Sequence, residues 1–413
     1  MKVLAIEVSQ FGNYYNSRYE HLEKHGVELF VLSGSADKNH WHKDRFAIAK
    51  SKQFDDLIET ARLLHQQHRF DGVFTFAESS VIATSLIAQA LGLPSIGPDA
   101  AICSRNKFFM RQGHQRFGAP HPAFELVPTL EAAVAAGRKI GYPAILKPTL
   151  GAGSQFVYKL NNEDELIQMY PKAWDGVQTF THVSNEGSSD KLGPNSLLLE
   201  SFLDGREFLI EAFTWDGETV LGSIVDRVTL EGNNFDDDVH HAPTDMTPEQ
   251  IAKVHKAVHQ GALAQGLKRS VMHAEIRFHQ GEPFILEIAA RPGGGGLDHM
   301  ARISAGYCPL MATVNIAAGK RPANSAYTPT GKDTFALCLI SAAGEIANIT
   351  IPAEVSEDPM VFMLKMVVTP GSRIRRPPYG NDIAGFLGVS GLSREETEAK
   401  AKAYASAITF QMR

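Results

Sequence analysis

The stretch His273–Gly296, HAEIRFHQGEPFILEIAARPGGGG, constrains the fold of this chain more than any other. Two alternating runs, His273–Phe278 and Pro283–Ile288, flank Gln280-Gly281-Glu282, which predicts a hairpin with a three-residue loop whose glycine accepts positive φ. That register sets Glu275 opposite Glu287, Ala274 opposite Ile288, Ile276 opposite Leu286 and Phe278 opposite Phe284. One face is then wholly apolar and covers a core. The other carries two carboxylates side by side, an arrangement that destabilises a sheet unless a cation lies between them. Carboxylates near phosphates suit Mg²⁺, which keeps open positions for water and phosphate oxygens. Arg291 shares strand parity with Glu287, and Pro292 with Gly293, Gly294, Gly295 and Gly296 allow close approach of backbone to a ligand. A solvent-facing hairpin that happens to carry two acids is the competing interpretation, because a one-residue slip would separate the pair.

The 413 residues suffice for two or three domains with their own cores. A net charge of −6 argues against nucleic acid as the main partner. No apolar run reaches the roughly 18 residues a membrane span needs. The opening MKVLAIEVSQFG reads as a first strand and not as a signal peptide. Cys103, Cys308 and Cys338 are widely spaced and fit reduced thiols in a cytoplasmic protein.

Residues 1 to about 100 alternate strand and helix: Val3–Val8, Ser17–His25, Val27–Leu32, Phe54–His68, Val73–Phe76 and Val81–Leu91. That rhythm predicts a parallel sheet with helices on both faces, with ligands met at the carboxyl ends of strands. Glu78 lies at such an end and is a polar contact or a helix cap. No GxGxxG follows the first strand, which weakens a dinucleotide-binding assignment. A helix over Cys103–Arg111 presents Lys107. The strand Tyr142–Pro148 carries Lys147 and runs into the turn Thr149–Gln155, then a strand Phe156–Lys159. Backbone N–H groups of that turn, with Gly153 and Ser154, can cradle phosphate oxygens, although the Walker spacing is absent. Asn185–Pro194 reads as a surface loop. Two strands, Ser196–Glu200 and Arg206–Glu211, then meet at a connector, Ser201-Phe202-Leu203-Asp204-Gly205, whose backbone can pair with a flat heterocycle while Phe202 or Leu203 packs on it; Glu200 and Glu207 bracket it and are acceptors for an amine or sugar hydroxyls, or solvent-facing strand residues. The acidic stretch Glu231–Asp238 reads as a mobile loop, and His240 and His241 follow it. Thr247–Gln265 has the signature of a capped helix, with Pro248 at its first position. Further on, Met311–Ala318 is helical, Thr334–Ser341 and Met360–Val368 are strands, Arg373, Arg375 and Arg376 form a basic run, and Ser393 with Glu396 opens a final helix.

In that order, a lysine, a second lysine with a glycine turn, a Glu–connector–Glu hinge and a two-glutamate hairpin followed by arginine resemble the ATP-grasp superfamily over almost the whole chain. The stretches SRNKFFMR and EIAARPGGG look like those of the L-amino acid ligases within it. The resemblance implies an α/β ATP-grasp fold: a Rossmann-like pre-ATP-grasp domain over 1–104, the ATP-grasp domain over 105–310 with a mobile lobe at about 120–200, and a small C-terminal α+β lobe over 311–413. It implies ATP and Mg²⁺ as cofactors, with Mn²⁺ as a substitute metal. Lys107 and Lys147 would contact ATP phosphates, Gly153 and Ser154 close over them, Glu200 to Leu203 hold adenine, and Glu207 hold ribose. Glu275 and Glu287 would ligate the metal. Arg291 would stabilise an acyl phosphate, with Lys147 as the second catalytic group. Glu78, His240 or His241, Gly293 and Gly294 would meet the substrates. One departure stands out: the family usually has asparagine two residues after the second metal glutamate, and here that residue is Ala289, which puts the number of metal ions in question.

The function so implied is ATP-dependent joining of two amino acids through an acyl phosphate, giving dipeptide, ADP and phosphate, in a cytoplasmic enzyme that acts on small molecules, contacts neither nucleic acid nor membrane, and has a homodimer as a possible assembly. Another ATP-grasp ligase or carboxylase with a non-peptide product is the nearest alternative. A non-catalytic nucleotide-binding regulator is the alternative of a different class.

Overall fold

The computed structural model describes residues 1–9, 14–35, 43–151, 153, 155–179, 192–229, 238–324, 326–375 and 383–413. The first sheet is parallel, in the order β3-β2-β1-β4, from β1 (Lys2–Glu7), β2 (Glu28–Ser33), β3 (Phe46–Ile48) and β4 (Gly72–Phe74). Alternation along β1 explains how it is covered. Leu4 and Ile6 pack with residues of α2 (Phe54–His68) and α3 (Val81–Ala90), while Val3 and Ala5 pack with α1 (Asn16–Lys24). A sheet buried on both faces is written in short apolar runs, as these strands are. Leu310, Val314 and Ala317, from a helix far along the chain, complete the second face.

The expected helix over Cys103–Arg111 is two helices, α4 (Pro98–Arg105) and α5 (Lys107–Phe117). Asn106 breaks them at φ −94°, ψ 112°; its side chain caps α5 by accepting from the Phe108 N–H at 3.0 Å. An asparagine that can bond to nearby backbone competes with helix continuation, which is why a run of good helix formers divides here.

The second sheet, in the order β5-β8-β6-β7, is antiparallel: β5 (Phe124–Leu126), β6 (Ala144–Pro148), β7 (Tyr158–Leu160) and β8 (Leu197–Ser201). Ala144, Leu146, Leu197 and Leu199 face α6 (Leu130–Ile140) and α7 (Glu163–Thr179). The intervening residues Ile145, Lys147 and Glu200 therefore face away from those helices, as period-2 geometry requires. The Asn185–Pro194 and Glu231–Asp238 loops lie largely outside the described residues.

The third sheet has eight strands. Its first half comprises β9 (Glu207–Trp215), β10 (Glu218–Thr229), β11 (Asp238–Ala242), β12 (Arg269–His279) and β13 (Glu282–Ala289). α8 (Pro248–Ala264), opened by a capping box between Thr247 and Gln250, packs under it. α9 (Leu297–Ala305) and α10 (Pro309–Ala317) follow. The sheet continues through β14 (Asp333–Ile340), while β15 (Gly344–Thr350) leaves it to pair elsewhere. After the short helix α11 (Ala353–Ser356), β16 (Val361–Met366) is its last strand, in the order β13-β12-β9-β10-β11-β14-β18-β16. The chain then passes through β17 (Arg373–Ile374), β18 (Ile383–Gly391), α12 (Arg394–Ala407) and β19 (Thr409–Met412). β15, β17 and β19 form a small separate sheet. Ser393 caps α12 by accepting from the Glu396 N–H, but the Glu396 carboxylate turns to the Leu392 N–H instead of closing the box. Arg376 is outside the described residues.

The hairpin of β12 and β13 corrects part of its expected register. Glu275 pairs with Glu287 and Ala274 with Ile288, but a bulge follows and Ile276 pairs with Ile285, Phe278 with Pro283 and His279 with Glu282. The loop is the two residues Gln280 and Gly281, at φ 52° and 82°, which suits the right-handed twist of the strands. Leu286 is the extra residue. Ile285 and Ile288 enter the core while Leu286 and Glu287 both turn to the other face, which a regular strand forbids.

Candidate active site

Phe208, Ile210, Ala212, Ala274 and Ile276 bury one face of the large sheet against α8. The opposite face of the same strands meets the free face of the second sheet across a cleft of about 310 Å³. Strand register stacks its polar residues in rungs. Arg227, Glu207 and Arg277 lie side by side across β10, β9 and β12. Leu209, Glu275 and Glu287 form the next rung, and Glu211, His273 and Ala289 the one after.

Glu275 and Glu287 stand opposite each other in this cleft, and their titration diverges. Burial and the Glu287 charge raise Glu275. Burial pushes Glu287 upward too, but the Lys107 ammonium, 3.0 Å from its carboxylate, outweighs that and leaves it at about 2. Lys107 is the first residue of α5, so the Asn106 break is what aims it here; its Nζ also donates to the Gly151 carbonyl at 3.1 Å. Lys147 extends from β6 to the Glu200 carboxylate at 2.6 Å. Burial lowers the Lys147 pKa by more than that contact restores.

Arg111 also reaches Glu200 from α5 at 2.8 Å and donates to the Leu286 carbonyl at 2.6 Å. The Glu200 carboxylate is thus held by Arg111 and Lys147. Glu207 is similarly held: it accepts from Arg227 Nη1 at 2.5 Å and from Arg277 Nη2. Burial opposes ionisation of Glu207, but the two guanidiniums hold it below the usual carboxylate range. Ser201 and Leu203 line the cleft, with Ile145 and Leu286 as aliphatic walls. Phe202 does not; its ring lies 4.0 Å from the Lys159 ammonium.

Arg291 lines the cleft and donates from Nε to Glu78 at 2.6 Å, a contact the sequence did not foretell. Burial disfavours the charged arginine, but Glu78 and Glu287 more than compensate and raise its pKa. Alternation on β11 separates the two histidines. His240 lines the cleft, whereas His241 turns to the Asp333 carboxylate at 2.8 Å. Burial lowers His241, but hydrogen bonds to Asp226 and Asp333 raise it net. Gly153 and Gly294 line the cleft, while Ser154 is outside the described residues. Gly293 does not line it. Its N–H donates to Glu211 at 3.0 Å, its carbonyl accepts from Arg18 at 2.6 Å, and a Cβ there would lie 2.5 Å from Glu211 Oε1.

Among the described residues no three His, Cys, Asp or Glu side chains converge on one point. The facing pair Glu275 and Glu287 fits a divalent ion that takes its other ligands from phosphates and water. His273 stands opposite Ala289, with Nδ1 held by Glu211 at 2.7 Å and Nε2 3.9 Å from Glu275. Arg111, Arg227, Arg277, Glu211 and His273 were not singled out from the sequence. Strand parity with Glu207 and Glu275 was the available signal for Glu211, His273 and Arg277. Arg111 and Arg227 depend on pairings remote in sequence.

Three family models match parts of the chain. Residues 140–298 match the family described as ATP-grasp domain, residues 19–95 the ATP-grasp N-terminal domain, and residues 336–413 the L-amino acid ligase C-terminal domain 2. The chain is 26% identical over 353 residues to carnosine synthase 1 of Homo sapiens, covering 78% of this chain and 40% of that protein. It is 27% identical over 259 residues to the L-arginine-specific L-amino acid ligase of Bacillus subtilis, covering 61% of this chain and 59% of that protein. Less than two thirds of either relative is thus spanned. The crystal structure of an L-amino acid ligase from Bacillus licheniformis superposes with a TM-score of 0.83 at 23% identity, over 100% of this chain and 99% of that one. No helix among the described residues is long and apolar enough to cross a membrane.

Proposed function

This chain carries ATP-grasp domains in the ATP-grasp fold, and on that premise we propose that it joins the carboxylate of one amino acid to the amine of another, with ATP cleaved to ADP and phosphate. ATP-grasp enzymes are ATP-dependent ligases that work with Mg²⁺. The observation that carries the proposal is the facing pair Glu275 and Glu287 beside Lys107, Lys147 and Arg291 in one cleft.

Each residue has a definable task. Glu275 and Glu287 would hold the metal, which when bound neutralises charge on the phosphates. Lys107 and Lys147 place two ammonium groups at the same end of the cleft, each with three donors to share between its present carboxylate partner and a phosphate oxygen. Ile145, Leu203 and Leu286 offer an apolar slot for adenine. The substrate carboxylate oxygen bonds to the γ-phosphorus as the bond to the β–γ bridging oxygen breaks, and ADP leaves. The amine nitrogen then attacks the acyl carbon, phosphate departs, and the nitrogen's proton goes with it. Arg291, fixed by Glu78, stands where charge develops on the acyl oxygen. Such catalysis is positioning and electrostatics, with little proton transfer by side chains.

The test is ADP release over pairs of the twenty amino acids, with mass analysis of the product. Glu287→Ala is expected to lower turnover by at least about 100-fold, the scale of removing a preorganised electrostatic group. Substantial retained turnover overturns the metal assignment; ADP release without an amide product overturns the ligase assignment.

A further inference from the structure

A second cleft opens beside the first, between the start of α1 and β16, lined by Tyr14, Arg18, Asp298, Met363, Lys365 and Phe386. The two adjoin. Phe386 lines both, Gly296 of the second follows Gly294 and Gly295 of the first, and the Gly295 N–H donates to the Tyr14 hydroxyl at 3.4 Å. The two clefts therefore adjoin at the glycines that follow Arg291.

Its cations differ in what they already hold. Arg18 is buried and satisfied by Asp298 at 2.9 Å and by the Gly293 carbonyl at 2.6 Å. Arg302, behind the cleft wall, donates to the Asp298 carbonyl and to the rings of His21 and His299, with Nη2 3.8 Å from the Asp298 carboxylate. Burial lowers the His299 pKa, against the pull of Asp298, so that ring is neutral at neutral pH. Lys365 alone of these lacks an anionic partner among the described residues. Its ammonium donates to the Tyr14 carbonyl and sits 4.0 Å from the centre of the Tyr14 ring. Burial, and then repulsion by Arg18, pull its pKa down to about 8 against the weaker attraction of Asp298. A half-buried cation whose polar partner is a carbonyl has unmet capacity for an anion, and a carboxylate entering the cleft would restore its solvation.

We propose that the Lys365 ammonium binds the carboxylate of the amine substrate, so that the nucleophile is an amino acid lying between Tyr14 and Phe386 with its nitrogen toward Arg291. The proposal rests on the ligase function above and adds a specificity-determining residue to it. Lys365 lies on β16, the edge of the eight-stranded sheet opposite β13, and the glycines that follow Arg291 meet it there: Gly295 packs against Phe386 and Gly296 against Met363.

The test compares amino acids with their C-terminal amides as amine donors, for wild type, Lys365→Met and Lys365→Arg. The wild type is expected to prefer the free acids in kcat/KM. Lys365→Met is expected to raise KM for the acids by about 10- to 100-fold, the range for losing a hydrogen bond to a charged group, while leaving KM for the amides and for ATP unchanged. Lys365→Arg is expected to keep most of the preference. If Lys365→Met weakens acids and amides alike, Lys365 only supports Tyr14 and the proposal falls. If the acid preference survives Lys365→Met, the carboxylate is read elsewhere and the proposal falls. Amides of side-chain carboxylates, run beside the C-terminal amides, show which carboxylate is bound. Absence of any ATP-dependent product with wild type overturns the ligase function itself, a result distinct from a lost Lys365 effect.

Discussion

Arg291 spends Nε on Glu78 and Nη1 on the Pro292 carbonyl, which leaves the rest of a rigid guanidinium directed along the cleft. A lysine cannot reproduce that fork. Arg291→Lys and Arg291→Ala are both expected to lower kcat by about 100- to 1,000-fold, the cost of one preorganised oxyanion donor, with a much smaller change in KM for ATP. Steady-state ADP release measures both, and a loss confined to ATP binding would contradict the role. At this scale Lys147, Glu275, Glu287 and Arg291 stood out in the sequence because each sits at a strand end or a matched hairpin position, whereas Lys107, a lone helical lysine, was singled out only through the family resemblance. The occupied state of Glu200 and Glu207 was not, since Arg111 and Arg227 reach them through pairings that no local pattern encodes.

Elements were legible where pattern and boundary agreed. The strands of the first sheet are short apolar runs between helices, and Phe54–His68 ends where the periodicity ends. α7 was missed because Pro171 lies within it and reads as a breaker. α6 carries Gly137, whose absent Cβ makes room for the Tyr142 hydroxyl, another feature that weakens a local helix signal. The contact of α5 with α8 yields a prediction of its own. His114 is buried there and donates from Nε2 to the Gln265 side-chain oxygen at 3.0 Å. Burial, reinforced by Arg111, lowers its pKa to about 3. The folded value lies below the unfolded one, so this contribution to stability is whole above about pH 6.5 and declines as pH falls toward 3, at up to about 1.4 kcal/mol per unit. His21 and His121, each lowered to about 4, first by burial, act in the same direction. Denaturant unfolding between pH 6.5 and 5 is expected to show falling stability in wild type and a shallower slope in His114→Gln; an unchanged slope would exclude His114 as a contributor.

For the whole molecule, the cleft arises because two sheets each bury one face under helices and leave the other for a shared space. Period-2 patterning showed a free face on the Glu275–Glu287 hairpin, but neither the free face of the second sheet nor that the two meet. The first sheet joins the same assembly through Glu78 on Arg291 and Arg18 on Gly293. A ligand filling this space holds all three sheets in the folded state, and stabilises it by about 2.7 kcal/mol at one hundred times its Kd. ADP with Mg²⁺ is expected to raise the thermal midpoint more than ADP with EDTA, since only the metal relieves the facing carboxylates. Equal shifts would show that Glu275 and Glu287 do not recruit an ion.

The bulge at Leu286 has a further consequence. Neighbouring side chains on an unbroken strand look in contrary directions, so an oily surface and an acid cannot serve one visitor from consecutive positions. Here the supernumerary residue turns Leu286 to the same side as Glu287. Two consecutive residues thereby line one cleft, and trimming the hairpin by that residue would spare the acid while removing the aliphatic wall beside it.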